Sequence, residues 1–377
     1  MEAVSPVGGP TLDDDTSGRR AAPGRHRPKY ERVARGFQIV RRRLARLPRT
    51  ALSAATPARV LPEIAARAAT AIWLAIAVGG EAAADGAVAA PLASKSLLLD
   101  GAVAGSRLVV VGDRGHILVS SDNGSNWKQA SVPTRVLLTA VHMHDERTGW
   151  AVGHDAVILR TVDGGETWKV LHQAPEEELP LLDVWFRDER SGYAVGAYGY
   201  FLATDDGGEN WEERAISEDD FHLNALLPAA APNRDSQRLF IAAEAGVAYR
   251  SDDGGETWRE LPSPYGGSWF GGLAFDDNRV LLAGLRGNAF LSADGGETWT
   301  RTATNTRATL TSAIQLRPGL VLLTGLEGIV LTSRDGGRSV STHRLQTRKG
   351  ISSALQIDER NVLLIGEFGI ERFFLEE

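Results

Sequence analysis

The chain of 377 residues contains no cysteine, which excludes a disulfide framework and any thiolate metal site. Its eight histidines are scattered apart from one HxH pair, His142 and His144, and form no HExxH motif, so no full set of metal ligands is spaced together. Gly-Gly pairs fall in turns rather than ahead of helices, which removes the phosphate-cradling loop. After residue 85 no stretch carries sustained helical periodicity with caps. A basic body is also missing. Residues 1–84 have a net charge of +7 and the remainder −14, and a body this acidic argues against nucleic acid as a partner. No cofactor is implied by any of these patterns.

Residues 1–67 are dominated by Arg, Ala, Pro and Gly and read as a disordered basic extension. Arg67 then precedes an uncharged, mostly apolar run, Ala68–Gly80. The run is short of the ~20 residues that span a bilayer. Ala82-Ala83-Ala84 and Ala87-Val88-Ala89 both fit a small-x-small cleavage site. Residues 68–89 therefore resemble a signal peptide with its cleavage region, which predicts export. A short buried helix and an uncleaved membrane anchor are the alternatives.

Residues 90–377 are repetitive. "DGGETW" or a close variant ends at Trp127, Trp168, Trp211, Trp258 and Trp299, and a worn copy ends at Val340. An apolar run precedes each phrase and ends in a small residue, at Gly112, Gly153, Gly196, Ala243, Gly284, Gly325 and Gly366. Both markers recur every 41 to 47 residues. Each unit reads as four short strands, the signature of a propeller blade. The expected fold is thus all-β, a seven-bladed β-propeller. The seventh unit stops after its third strand, and an unpaired edge is a liability. The segment 85–95 is expected to supply the missing strand and close the ring.

The phrase has the form [ST]-x-D-x-G-x-[STN]-W, the Asp-box or BNR repeat. Its aspartates are Asp122, Asp163, Asp206, Asp253, Asp294 and Asp335. Acid, hydroxyl and tryptophan together invite a catalytic reading. The turn reading is simpler: the carboxylate caps backbone N–H groups, the glycine takes a positive φ, and the Trp packs between blades. The phrase joins the third and fourth strands, opposite the face where propellers usually bind, so these aspartates are expected to be structural.

The longer phrases "FRDERSGYAVGAYGYFLATDDGGENW" (186–211) and "HDERTGWAVGHDAVILRTVDGGETW" (144–168) resemble the photosystem II stability and assembly factor family of the Ycf48/HCF136 type. The resemblance covers residues 95–377. It implies an exported, seven-bladed, non-enzymatic propeller of the thylakoid lumen or periplasm that binds newly made membrane-protein segments. In a non-photosynthetic host it implies a scaffold for another membrane complex, such as a transporter. An arginine-rich patch holds the partner in that family. No motif here carries those arginines over one by one.

Topology supplies the candidates. Links between second and third strands hold Arg114, Tyr198 and Arg286, and blade-to-blade loops on the same face hold Arg307, Arg348 and Lys349. Tyr265, Trp269 and Phe270 form an aromatic group among glycines, a binding handle or a channel plug. These nine residues are the expected partner-binding set, on a monomer with no small-molecule substrate and no metal. The competing reading is a sialidase-like glycoside hydrolase, which needs three arginines, a Tyr–Glu pair and an acid. It also usually carries an Arg-Ile-Pro phrase, which this chain lacks.

Overall fold

The computed structural model describes residues 86–229, 237–275 and 278–375. The basic extension and most of the signal-like segment lie outside the described residues. No described helix is long and apolar enough to cross a membrane. The described chain forms seven antiparallel sheets, six of four strands and one of three. In blade one the strands are Leu98–Ala104, Arg107–Gly112, Ile117–Ser120 and Lys128–Gln129. The expected seven blades are present, each built from one repeat.

Burial follows from the stacking of blades face to face. Second strands such as Gly149–Gly153 and Val280–Gly284 are buried along their whole length, because both faces of each blade meet a neighbour. That is why they read as continuous apolar runs rather than as alternation. The outer strands are two to four residues long and mostly exposed. The core is divided into clusters that lie between blades. Between blades two and three Trp150 stacks on Phe186 with centroids 3.5 Å apart. Between blades seven and one Leu98, Leu108 and Val110 pack against Leu355, Leu363 and Ile365.

Closure of the ring differs from expectation. Blade seven has three strands, Ile351–Gln356, Asn361–Gly366 and Gly369–Phe374, and residues 85–95 add no fourth among the described residues. Ala93–Lys95 forms a single 3-10 turn instead. Upstream of it the chain runs along blade one, where the Gln129 side chain accepts from Ala90 N at 2.9 Å and donates to the Val88 carbonyl at 2.9 Å. The segment is Ala-rich and carries Pro91, which has no N–H for a ladder. The seam is closed by side-chain packing. Gly101 permits it, since a Cβ there would stand 2.8 Å from Ile365 Cδ1 and Leu355 Cδ1.

Each inner strand carries a bulge at its second residue, for example Thr139, Asn224, Phe270 and Thr311. At the inner rim the second or third residue of the inner strand reaches the next blade at six of the seven seams. Asp100 accepts from Val141 N at 3.0 Å, and Asp183 accepts from Leu226 N at 2.8 Å. Thr139 donates to the Leu181 carbonyl, Asn224 to that of Trp269, and Thr311 to that of Ile351, each at 2.7 Å. Ser353 bonds back to Asp100. At the seam of blades five and six Gly271 replaces the link with close approach, as a Cβ there would meet the Thr311 carbonyl at 2.7 Å. Each such bond contributes about 1 kcal/mol.

Removal from bulk water pushes the Asp100 carboxyl up to about 6. The same cause, with the charge of Asp100 added, pushes Asp183 up to about 7. Both lie far above the ordinary 3.8. A carboxyl raised in the folded state contributes stability that is complete below its unfolded value and lost as pH rises through the folded one. Asp183→Asn keeps an acceptor for Leu226 and removes the charge. It is expected to raise the thermal midpoint near pH 8, with the gain shrinking toward about pH 5, as read by paired melting curves.

Candidate functional site

The Asp-boxes are fully occupied turns. In the box of blade five, Asp294 Oδ1 accepts from the Ser292 hydroxyl at 2.8 Å and from Thr298 N at 2.9 Å, while Oδ2 accepts from the Thr298 hydroxyl at 2.6 Å. Ser292 Oγ in turn accepts from Gly296 N at 2.8 Å. The bonds from Thr298, side chain then backbone, followed by that from Ser292, hold Asp294 down at about 2. Bonds from Asn126 do the same for Asp122, and bonds from Asn210 for Asp206. Desolvation opposes the effect at Asp163, Asp253 and Asp335, but their Thr167, Thr257 and Ser339 donors outweigh it. A carboxylate this saturated and acidic is neither a proton donor near neutral pH nor a vacant ligand.

The preceding blade clasps every one of these six turns. Arg107 donates to the Asp163 carbonyl at 3.0 Å, Trp150 to that of Gly207 at 2.9 Å, and Tyr193 to that of Gly254 at 2.7 Å. Arg250 donates to Gly295 at 2.9 Å, Arg279 to Gly336 at 3.3 Å, and Arg372 to Asn123 at 2.7 Å. The clasping residues come from different strands, so the repeat pattern does not reveal them. Asp253→Ala is expected to lower stability by about 1 kcal/mol, the scale of a lost side-chain cap, with the loop face unaltered. A chemical denaturation curve measures it.

The opposite face is built from the turns between second and third strands and from the loops between blades. In six blades the middle residue of that turn is left-handed without being glycine: Arg114, Asp155, Tyr198, Ala245, Arg286 and Glu327, all at φ 55–57°. This conformation aims the middle side chain at solvent. The following residue lies under the blade-to-blade loop. At Gly287 a Cβ would stand 2.3 Å from the Thr306 carbonyl, and its φ of 71° also favours glycine.

The predicted aromatic group divides three ways. Trp269 is wholly buried, so it is neither an exposed handle nor a plug of the channel mouth. It occupies the first position of its inner strand and packs with Leu227, Phe240 and Leu282. Its indole donates to the Gly246 carbonyl at 2.8 Å. Tyr265 is half-buried against it, with centroids 5.4 Å apart. Phe270, one residue on, sits on the bulge and is 37% exposed. Tyr198 is 50% exposed and meets His222 edge-on. Trp269→Ala is expected to cost about 3–5 kcal/mol of stability, as a large cavity in a core does, read as a lower unfolding midpoint.

The basic residues gather on consecutive blades. Arg286, Arg301 and Arg307 line a cleft of about 820 Å³ whose other walls are residues 303–306, with no carboxylate among its lining residues. Thr304 fixes the loop by donating to the Gly287 carbonyl at 2.6 Å, and Arg301 leans on Asn288 Oδ1 at 3.3 Å. Arg301 lies on the outer strand Thr300–Thr302 and escapes a search confined to loops; its place at the loop end of that strand is the signal. Arg348 and Lys349 stand on the next loop round, and Arg114 on blade one beside Asp113, 3.4 Å away. Acids occupy the other side, on the loops after blades two and three: Glu176–Glu178 and Glu218–Asp220. These two acidic loops stand apart from the arginine cleft.

A family model described as "Photosynthesis system II assembly factor YCF48" matches residues 119–181 and 170–265. The curated "Photosystem II stability/assembly factor HCF136, chloroplastic" of Cyanidioschyzon merolae (strain NIES-3377 / 10D) is 39% identical over 54 residues. That match spans 14% of this chain and 12% of the relative. The chain is a Ycf48/HCF136-like propeller. Among solved structures, "YCF48 bound to D1 peptide" is similar with TM-score 0.62 at 18% identity, covering 75% of this chain and 93% of that one. "YCF48 from Cyanidioschyzon merolae" gives 0.57 at 15%, covering 76% and 98%. The WD40 propeller domain of Doa1 gives 0.60 at 11%, covering 78% and 96%. A WD40 domain this similar in shape means that the fold alone does not separate the families. The match of the family model to residues 119–181 and 170–265 is what favours the Ycf48 type.

Proposed function

We propose that this Ycf48/HCF136-like propeller is an exported, non-enzymatic assembly factor of the photosystem II type, which holds an extended segment of a membrane protein across its loop face. The observation that carries the reading is the cleft of Arg286, Arg301 and Arg307, which holds three guanidinium groups and no carboxylate. Guanidinium groups without counter-charge in one cleft favour an incoming carboxylate through charge-assisted, often bidentate bonds. Phe270, exposed on the bulge of blade five, offers an apolar contact to the same segment, and Tyr198, exposed on the turn of blade three, offers a second. The relative solved with a D1 peptide supports a peptide as the ligand class. In a host without photosynthesis the same surface serves another membrane complex.

Export to the lumen or periplasm is supported by the signal-like sequence at 68–89. The absence of a reaction is supported by the Asp-boxes, whose carboxylates are saturated, and by a cleft that pairs no Tyr with a Glu. A labelled acidic peptide from a host membrane protein, followed by fluorescence anisotropy, tests the reading. Reversing Arg286 and Arg307 to Glu is expected to weaken binding by on the order of a hundredfold. Phe270→Ser should weaken it by about tenfold, and a variant of the peptide with its acids replaced by Lys should not bind. Unchanged affinity in the reversed variant would sink the site. Turnover of a fluorogenic sialoside would restore the glycosidase reading.

A further inference from the structure

The loop face carries a second chemistry that the arginine cleft does not use. Leu92 is 67% exposed and Leu326 44%, and both belong to one continuous sector. Leu326 opens the second-to-third turn of blade six, and its Cδ2 would lie 3.0 Å from a Cβ on Gly350. Gly350 N donates to Glu367 Oε2 at 3.0 Å, in the corresponding turn of blade seven. Gly369 of that turn lies against Ser94 and Lys95, two and three residues from Leu92.

Charge in this sector is unevenly satisfied. Glu327 is held by Arg344 at 3.0 Å, Glu367 by the Gly350 amide, and Asp113 by Arg114 at 3.4 Å. Lys95, Arg348 and Lys349 are exposed and have no carboxylate partner among the described residues. Protruding apolar side chains ringed by unpaired cations suit a surface that is anionic outside and hydrocarbon within: leucines enter the headgroup boundary while cations meet lipid phosphates. The chain direction agrees. The described residues begin at Gly86, whose carbonyl accepts from Arg135 on this face at 3.0 Å, and the upstream sequence contains the apolar run Ala68–Gly80.

We infer that the loop-face sector of blades six, seven and one docks on an anionic bilayer through Leu92 and Leu326, flanked by Lys95, Arg348 and Lys349. The inference rests on the loop face being the one turned to the membrane protein, and it moves Arg348 and Lys349 from the peptide to the lipid.

A chain without cysteine makes the test direct. Leu92→Cys, Leu326→Cys and, on the Asp-box face, Val103→Cys each carry one environment-sensitive fluorophore on the full chain. Vesicles are phosphatidylcholine with a quarter phosphatidylglycerol and a brominated phospholipid as quencher. Labels at 92 and 326 are expected to be quenched and the label at 103 not. Reversing Lys95, Arg348 and Lys349 to Glu should reduce that quenching, with partition weakened on the order of fivefold per cation removed. Equal quenching at all three positions, quenching at none, or quenching indifferent to the reversal would overturn the inference. Peptide affinity of the same labelled proteins is read separately by anisotropy. Its loss with quenching intact removes the cleft reading alone, and quenching lost with peptide binding intact removes the lipid reading alone.

Discussion

The structure depends on the contact that a blade makes with the Asp-box turn of the next, made at six of the seven seams. A blade is a four-stranded sheet with two apolar faces and cannot stand alone in water. Its neighbour must be placed in both height and angle for the faces to interdigitate. Saturation of the Asp carboxylate fixes the turn, and a fixed turn presents one carbonyl at a fixed point. Arg107, Trp150, Tyr193, Arg250, Arg279 and Arg372 then reach that carbonyl from the preceding blade. On the inner rim the bulged residues and the two channel aspartates repeat the link from the other side. Every seam but that of blades six and seven is held at two radii, and the apolar clusters fill the space between.

This arrangement divides labour between the faces. On the Asp-box face the arginines spend their donors on backbone carbonyls of the next blade, so positive charge there is structural. On the loop face the turns put side chains into water at a left-handed residue whose identity the backbone does not dictate: Arg, Asp, Tyr, Ala, Arg and Glu all occupy it. A scaffold indifferent to that choice leaves the position open for recognition. The acidic net charge of the body therefore hides a loop face with a local cleft of bases.

Much of the fold was legible because the repeat has two independent markers with the same period, and burial on both faces makes the second strands unmistakable. The Asp-box chemistry was legible because it is local: every donor lies within four residues of the acid. The clasps were not, since their residues come from different strands and meet the turn only through the ring. Trp269 was misjudged from its glycine neighbours. It stands where Leu138, Leu181, Leu310 and Ile351 stand in other blades, all buried, and strand position outweighs local composition. The closing strand failed for a different reason: the repeat predicts that a strand is absent from the seventh unit but not that packing alone suffices there.

The seam between blades seven and one carries apolar packing, an inner bond and an outer clasp like most of the others, yet no strand is shared across it. The first and seventh blades meet without a strand shared between them. Pulled apart by its termini, the molecule has no ladder of backbone bonds to unzip at that point. The load falls on Leu98, Leu355 and Ile365 and on the bonds from Arg372 to Asn123 and from Ser353 to Asp100. The ring is a bracelet whose clasp is made of grease, and the place where it opens first is set by chain connectivity rather than by any weakness of the repeat.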